Sequence, residues 1–318
     1  MRFLPFTLRR LGPVLAVAGL ACGILATATA GAASATSSTG ATPRAGGHSF
    51  RTLDNQSDPT FNQLLSINDA GVIAGYFGSG TPATTHPNRG YVLNGPYGQQ
   101  DYVNENFPGA QQTQVTGINN SGTTVGFYAD PKGDNFGFVL KQGIWTVVID
   151  PHTTGTVNQL LGLNNRGVAV GFYTDSKGNA HAYSLNFHND TFSTIDIAGA
   201  TSATATGINA SGDISGFYTK AGTTYGFLLK NGAVTSFSVG GSSNTMALGI
   251  NNSDEIAGSW AGKGTIVHGF VWSNGKAATL DDPKGKNATT INGINSSGDL
   301  VGFYTDSAGN VDGFVATQ

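Results

Sequence analysis

The chain has 318 residues, of which only 11% are charged, and a formal net charge of −3. Sixteen basic against 19 acidic residues leave neither the basic footprint of a nucleic-acid binder nor a polybasic membrane patch. Forty-seven glycines, abundant Asn, Ser and Thr, and glutamate confined to Glu105 and Glu255 argue against a helical bundle and describe strands joined by tight turns.

Arg2, Arg9 and Arg10 precede an apolar stretch from Pro13 to Leu25, and Ala28-Thr29-Ala30 follows as a small-x-small cleavage site. That is the pattern of a secretory signal peptide over residues 1–30. The stretch is too short and too rich in Ala and Gly for a membrane span, so the product is expected to be secreted and extracellular. Arg9-Arg10 leaves the ordinary and twin-arginine export routes open, and Cys22, the sole cysteine, lies inside the signal, with lipid anchoring there as the alternative. No disulfide framework remains, so a domain of about 270 residues must be held by its core alone. Residues 31–47, small, polar and aperiodic, read as a flexible linker.

Structure is expected to begin near His48, and from Gln63 onward the chain repeats itself. An apolar residue followed by Asn recurs at Ile67-Asn68, Ile118-Asn119, Leu163-Asn164, Ile208-Asn209, Ile250-Asn251 and Ile294-Asn295, at spacings of 51, 45, 45, 42 and 44. Such a period means stacked units, none able to bury its own faces alone. Within residues 114–150 four strand-like runs are separated by Asn119-Asn120-Ser121-Gly122, Asp130-Pro131-Lys132-Gly133 and Gln142-Gly143, each a turn signal. Four strands per unit predict an all-β fold, a six-bladed β-propeller of four-stranded blades with repeats at about 64–114, 115–159, 160–204, 205–246, 247–289 and 290–318 plus 48–63. The last repeat ends one strand short, at Gly313-Phe314-Val315, while His48 to Asp54 resembles a fourth strand such as Phe192 to Asp196. The N-terminal strand is therefore expected to pair in the last blade and close the ring, leaving no open end.

Gly-Phe pairs recur in the second strand (Gly126-Phe127, Gly171-Phe172, Gly216-Phe217, Gly302-Phe303) and in the third (Gly137-Phe138, Gly226-Phe227, Gly269-Phe270, Gly313-Phe314). They are expected to pack a ring of one blade over a glycine of the next. Together with Gly162 to Gly167, Val170-Gly171-Phe172-Tyr173, His181-Ala182-Tyr183 and Ile195-Asp196, these motifs resemble the extracellular HAF-repeat proteins, over residues 48–318. In that family a His-Ala-Phe triplet marks the third strand; His268-Gly269-Phe270 keeps the His, while Arg89, Phe136, Tyr225 and Asp312 replace it elsewhere. The resemblance implies an exported repeat protein and no particular activity.

Asp130, Asp175 and Asp306 each open an Asp-x-x-Gly turn but lack the bidentate Glu of a calcium loop, so they are read as bonding their own backbone. Asp54, Asp150, Asp196 and Asp281, with Asn104 or Asn106, are read as ending the fourth strand, on the same rim as the loop between strands two and three. The six histidines show no metal-ligand spacing, and no nucleophile elbow or paired-glutamate hydrolase site is visible. Function on a repeated scaffold must break the repeat. The first unit carries an insertion from Gly78 to Arg89, and the fifth has Asp254 for the turn Gly and Ser259-Trp260 for Phe-Tyr. The candidate ligand-binding residues are therefore His86, Arg89, Tyr102, His181, Trp260 and His268, with no cofactor and no metal. The leading expectation is a monomeric, non-catalytic binding module for a glycan, a protein or another polar extracellular ligand. The alternatives are a hydrolase or lyase using Asp and His at one mouth of the channel, and a structural surface protein.

Overall fold

The computed structural model describes residues 47–318 apart from 83, 263 and 265. The expected signal peptide, Cys22 and nearly all of the linker lie outside the described residues. All regular structure described is strand, except for one 3-10 turn at Gln99–Asp101, and the fold is all-β and propeller-like.

The strands follow one another as antiparallel meanders of four. Unit one comprises Asn62–Ile67, Ile73–Phe77, Arg89–Leu93 and Tyr102–Asn104. Units two, three and four begin at Gln112, Asn158 and Ser202 and repeat that order as separate four-stranded sheets. Unit five begins at Thr245 and unit six at Ala288; they share an eight-stranded sheet because Val267 bridges Ala288 in parallel. This merger is one case of a recurring bridge between the start of a third strand and the entry to the next unit, also seen at Asn135↔Val157, Thr224↔Asn244 and Val311↔Phe61. Ser49–Thr52 lies antiparallel to Val311–Thr317, in the register Ser49↔Thr317 to Thr52↔Phe314.

The recurring Asn explains the turn between first and second strands. The Asn164 Oδ1 accepts the backbone N–H of Arg166 (3.0 Å) and Val168 (3.1 Å), ordering its own turn. Its Nδ2 donates to Asn209 O of the next unit (3.0 Å). The same donation runs from Asn68 to Asn119 O, Asn119 to Asn164 O, Asn209 to Asn251 O, Asn251 to Asn295 O and Asn295 to Asn68 O, at 3.0 to 3.3 Å. One side chain thus serves both its turn and its neighbour, which is why no other residue type recurs there.

Every first strand shifts register by one residue opposite the second, the signature of a β-bulge. The extra residues are Leu65, Thr116, Leu161, Thr206, Leu248 and Asn292, and they line a central cavity of ≈ 40 Å³. The six bulged residues thus converge on one cavity.

The glycines pack differently from the expected ring-over-glycine mesh between units. A Cβ on Gly171 would lie 1.9 Å from Gln159 O, and one on Gly126 2.0 Å from Gln114 O, so the bulged first strand of the same unit forbids a side chain. The Phe138 ring does approach Gly126, but as its own cross-strand partner. Across the unit boundary the knob is aliphatic: a Cβ on Gly313 would meet Leu64 at 2.2 Å, and one on Gly269 would meet Ile291 at 2.8 Å. The core between units six and one gathers Leu53, Leu64, Tyr91, Val301 and Val315.

Candidate functional site

Because the repeat stays in register, the end of each second strand meets the start of the third at one rim of the molecule. Six cross-strand pairs result: Phe77↔Arg89, Tyr128↔Phe136, Tyr173↔His181, Tyr218↔Tyr225, Trp260↔His268 and Tyr304↔Asp312. Directly opposed side chains on one face of a strand pair are held in contact. The imidazole of His181 stacks on Tyr173 with centroids 5.1 Å apart, and that of His268 on Trp260 at 4.8 Å.

Each of four histidines pairs with a carboxylate. His86 Nδ1 lies 2.8 Å from Asp58, His152 Nδ1 2.9 Å from Asp150, His181 Nε2 3.2 Å from Asp175 and His268 Nδ1 2.7 Å from Asp281. A carboxylate partner fixes the ring's orientation and leaves the other nitrogen for a ligand. Asp175 is held well below the ordinary carboxylate range, first by the Asn179 side-chain amide and then, against some desolvation, by the Asn179 and Lys177 backbone N–H groups and His181. Burial also works to raise Asp58, yet hydrogen bonds from Thr60 and His86 outweigh it and lower its pKa.

Five of the six predicted residues fall at this rim. Trp260 and His268 are brought together, the Trp260 Nε1 being buried without a hydrogen-bond partner. His181 sits two units away on Tyr173, and Arg89 opposes Phe77. His86 belongs to the insertion, which is anchored: Asn88 Nδ2 donates to Gly78 O (2.6 Å), Gln114 Nε2 to Asn88 Oδ1 (2.9 Å) and Gly80 N to His86 O (2.7 Å). Tyr102 is elsewhere. It opposes Leu93 at the far end of the third strand, its ring is edge-on to Tyr91 at 4.9 Å, and its hydroxyl is buried without a partner.

The carboxylates after the fourth strand need one correction. The Asp54 Oδ1 accepts Gly313 N–H and the Asp281 Oδ1 accepts Gly269 N–H, both at 3.0 Å, and Asn106, not Asn104, does the same for Gly90 at 3.1 Å. Asp150 is one residue further on, because Val148 and not Ile149 occupies the place of Leu53 opposite the third-strand glycine. It instead opens a turn by accepting His152 N–H, as Asp282 accepts Lys284 N–H (both 2.8 Å) and Asn55 accepts Ser57 N–H (2.9 Å). The turn carboxylates of Asp130, Asp175 and Asp306 bond their own backbone at 2.8 to 3.0 Å.

The rim of unit six is acidic. Burial pushes the Asp54 carboxyl up to about 6, the Gly313 N–H opposing and neighbouring Asp312 reinforcing the shift. Beside it Lys284 Nζ donates to Thr52 Oγ1 (2.9 Å), whose oxygen also lies 3.0 Å from Tyr304 Oη.

Sequence reasoning missed two groups. Phe107 stacks on Tyr128 at 3.8 Å and 7°, with Trp145 edge-on to Phe107 at 5.3 Å, and His152 flanks Tyr173 at 6.3 Å on the loop entering unit three. Phe107 lies three residues past one fourth strand and His152 four past another, and an aromatic or His at that distance was the available signal. At the opposite edge the six Asn turns surround a shallow mouth of ≈ 70 Å³. Among the described residues no group of three or more His, Cys, Asp or Glu is placed to hold a metal ion, and no helix is long and apolar enough to cross a membrane.

No family model matches the chain, and no curated protein matches it. Among solved structures it is similar to a protein described as a gluconolactonase, with a TM-score of 0.53 and 13% identity over 87% of this chain and 93% of that one. AofleA from Arthrobotrys oligospora gives 0.54 and 12% over 86% of each chain, and TolB from Acinetobacter baumannii 0.52 and 10% over 79% of this chain and 65% of that one. At these identities the likeness is one of fold, and it is to propellers.

Proposed function

We propose that this chain is an exported, extracellular protein of the HAF-repeat type, whose six blades close into a ring and whose aromatic and His–Asp rim binds a glycan without catalysis. Closure is supported by the Asn295 Nδ2 bond to Asn68 O (3.3 Å) and the Val311 N–H bond to Thr60 O (3.0 Å), which join unit six to unit one. The observation that carries the binding reading is the gathering of Trp260–His268–Asp281 and Tyr173–His181–Asp175 at one rim. Apolar ring edges beside oriented imidazoles and carboxylates offer a polyhydroxyl ligand both apolar surface and hydrogen-bond partners of either sense.

The test is a screen of the full chain for thermal stabilisation by mannan, xylan, chitin and polygalacturonate, since a ligand of the native state raises its apparent stability. A polymer that stabilises the protein should bind at least tenfold more weakly after Trp260→Ala or His181→Ala; unchanged affinity in both would exclude the rim as the binding site. The enzyme reading is favoured by one observation, the raised Asp54 beside Asp312 and Lys284. It expects turnover of one of these polymers that Asp54→Asn abolishes.

A further inference from the structure

The units alternate. At the bulge facing the central cavity, units one, three and five carry Leu65, Leu161 and Leu248, whereas units two, four and six carry Thr116, Thr206 and Asn292. Each polar side chain donates to the equivalent backbone carbonyl of the next odd unit: Thr116 Oγ1 to Leu160 O (2.7 Å), Thr206 Oγ1 to Ala247 O (2.9 Å) and Asn292 Nδ2 to Leu64 O (2.8 Å). The rim alternates in step. Where the third strand begins, the odd units present Arg89, His181 and His268, and the even units present Phe136, Tyr225 and Asp312. Three of the four His–carboxylate pairs, His86–Asp58, His181–Asp175 and His268–Asp281, also belong to odd units, although the carboxylate comes from a different loop in each; the fourth, His152–Asp150, follows the fourth strand of unit two.

Two features at opposite ends of a unit, one at the central cavity and one at the rim, have no packing reason to alternate together unless the true repeat is a pair of units. We infer that the molecule is a threefold array of two-unit repeats and that its rim carries three equivalent glycan subsites, centred on Arg89 with Phe77, His181 with Tyr173, and His268 with Trp260. This rests on the glycan-binding reading above. Three subsites spaced around one rim match a polymer or a densely glycosylated surface, on which weak single contacts add by effective concentration.

The experiment titrates the full chain with the hexasaccharide of whichever polymer stabilises it, by calorimetry, and measures retention on a surface coated with that polymer. The expected stoichiometry is three, falling to two in each of Arg89→Ala, His181→Ala and His268→Ala and to none in the triple variant. Retention should drop at least tenfold with each lost site, while Tyr225→Ala leaves both readouts unchanged. The conservative His181→Gln and His268→Gln, with melting temperatures taken alongside, separate lost contacts from lost folding. A stoichiometry of one, or complete loss from a single substitution in a folded variant, overturns the threefold arrangement while leaving glycan binding standing. Absence of stabilisation by any of the polymers overturns both.

Discussion

Asp54 makes the local electrostatics testable at a single carboxyl. In the unfolded chain it titrates near its ordinary 3.8, whereas in the folded protein it keeps its proton to about 6. Its contribution to stability is thus fully present below the unfolded value and is lost as pH rises through the folded one. Asp54→Asn keeps an acceptor for Gly313 N–H, so it should raise the melting temperature at pH 7 and flatten its decline between pH 4 and 6. Melting curves parallel to those of the parent across that window would refute the assignment. Asp254 illustrates a different compromise. It occupies a left-handed turn position (φ 58°) filled by glycine in the other units, and its carboxylate is held by Lys230 Nζ and by Asn209 Nδ2. Asp254→Gly exchanges these contacts for an unstrained backbone and should fall within about 0.5 kcal/mol of the parent, whereas Asp254→Ala keeps the strain and should cost about 1–2 kcal/mol in urea unfolding.

At the level of the strand and its turn, stability rests on the recurring Asn and on the second-strand glycine. Asn164→Ala strands two backbone N–H groups and one carbonyl in a buried turn and should cost about 2–4 kcal/mol. The exposed neighbour Asn165, which accepts Asn120 N–H (2.8 Å), should cost under about 1 kcal/mol on the same change. Denaturant titrations of the two variants decide this, and equal losses would mean that the side-chain donation between units contributes nothing. Gly302→Ala would place a methyl 2.0 Å from Thr290 O, a clash with backbone that no rotamer relieves. It should cost more than about 3 kcal/mol or prevent folding, because moving that carbonyl breaks the first-strand pairing.

Across the whole molecule, the segment from residue 48 to 54 lies beside the last strand, on the far side from the second strand of unit six, and a chain lacking it would expose the full edge of Val311–Thr317. Deleting those residues should lower the melting temperature by roughly 10 °C or more and promote aggregation through the bared edge; a monomeric product of unchanged stability would show that the pairing is dispensable. The periodic features were legible in advance. The spacing of the apolar-Asn pairs, the turn glycines and the short β-branched runs dictate strands, turns and a four-strand unit, since each is a local demand of backbone geometry. Turn carboxylates such as Asp175 were equally readable, for they bond residues two and four places away. What escaped was set by how strands pack against one another rather than by the order of residues along one strand. The shift of Asp150 by one residue depends on how far the fourth strand of unit two runs, and the inward turn of Tyr102 depends on its edge-on packing against Tyr91. The true reason for the second-strand glycines is the backbone of the bulged first strand beside them, a contact that the glycine positions alone do not announce. The sequence by itself determined the repeat and the chemistry of its turns, because these are interactions between near neighbours along the chain. Only the tertiary structure decided that His86 meets Asp58 and that His268 meets Asp281, because those contacts join residues 28 and 13 positions apart that share no local pattern.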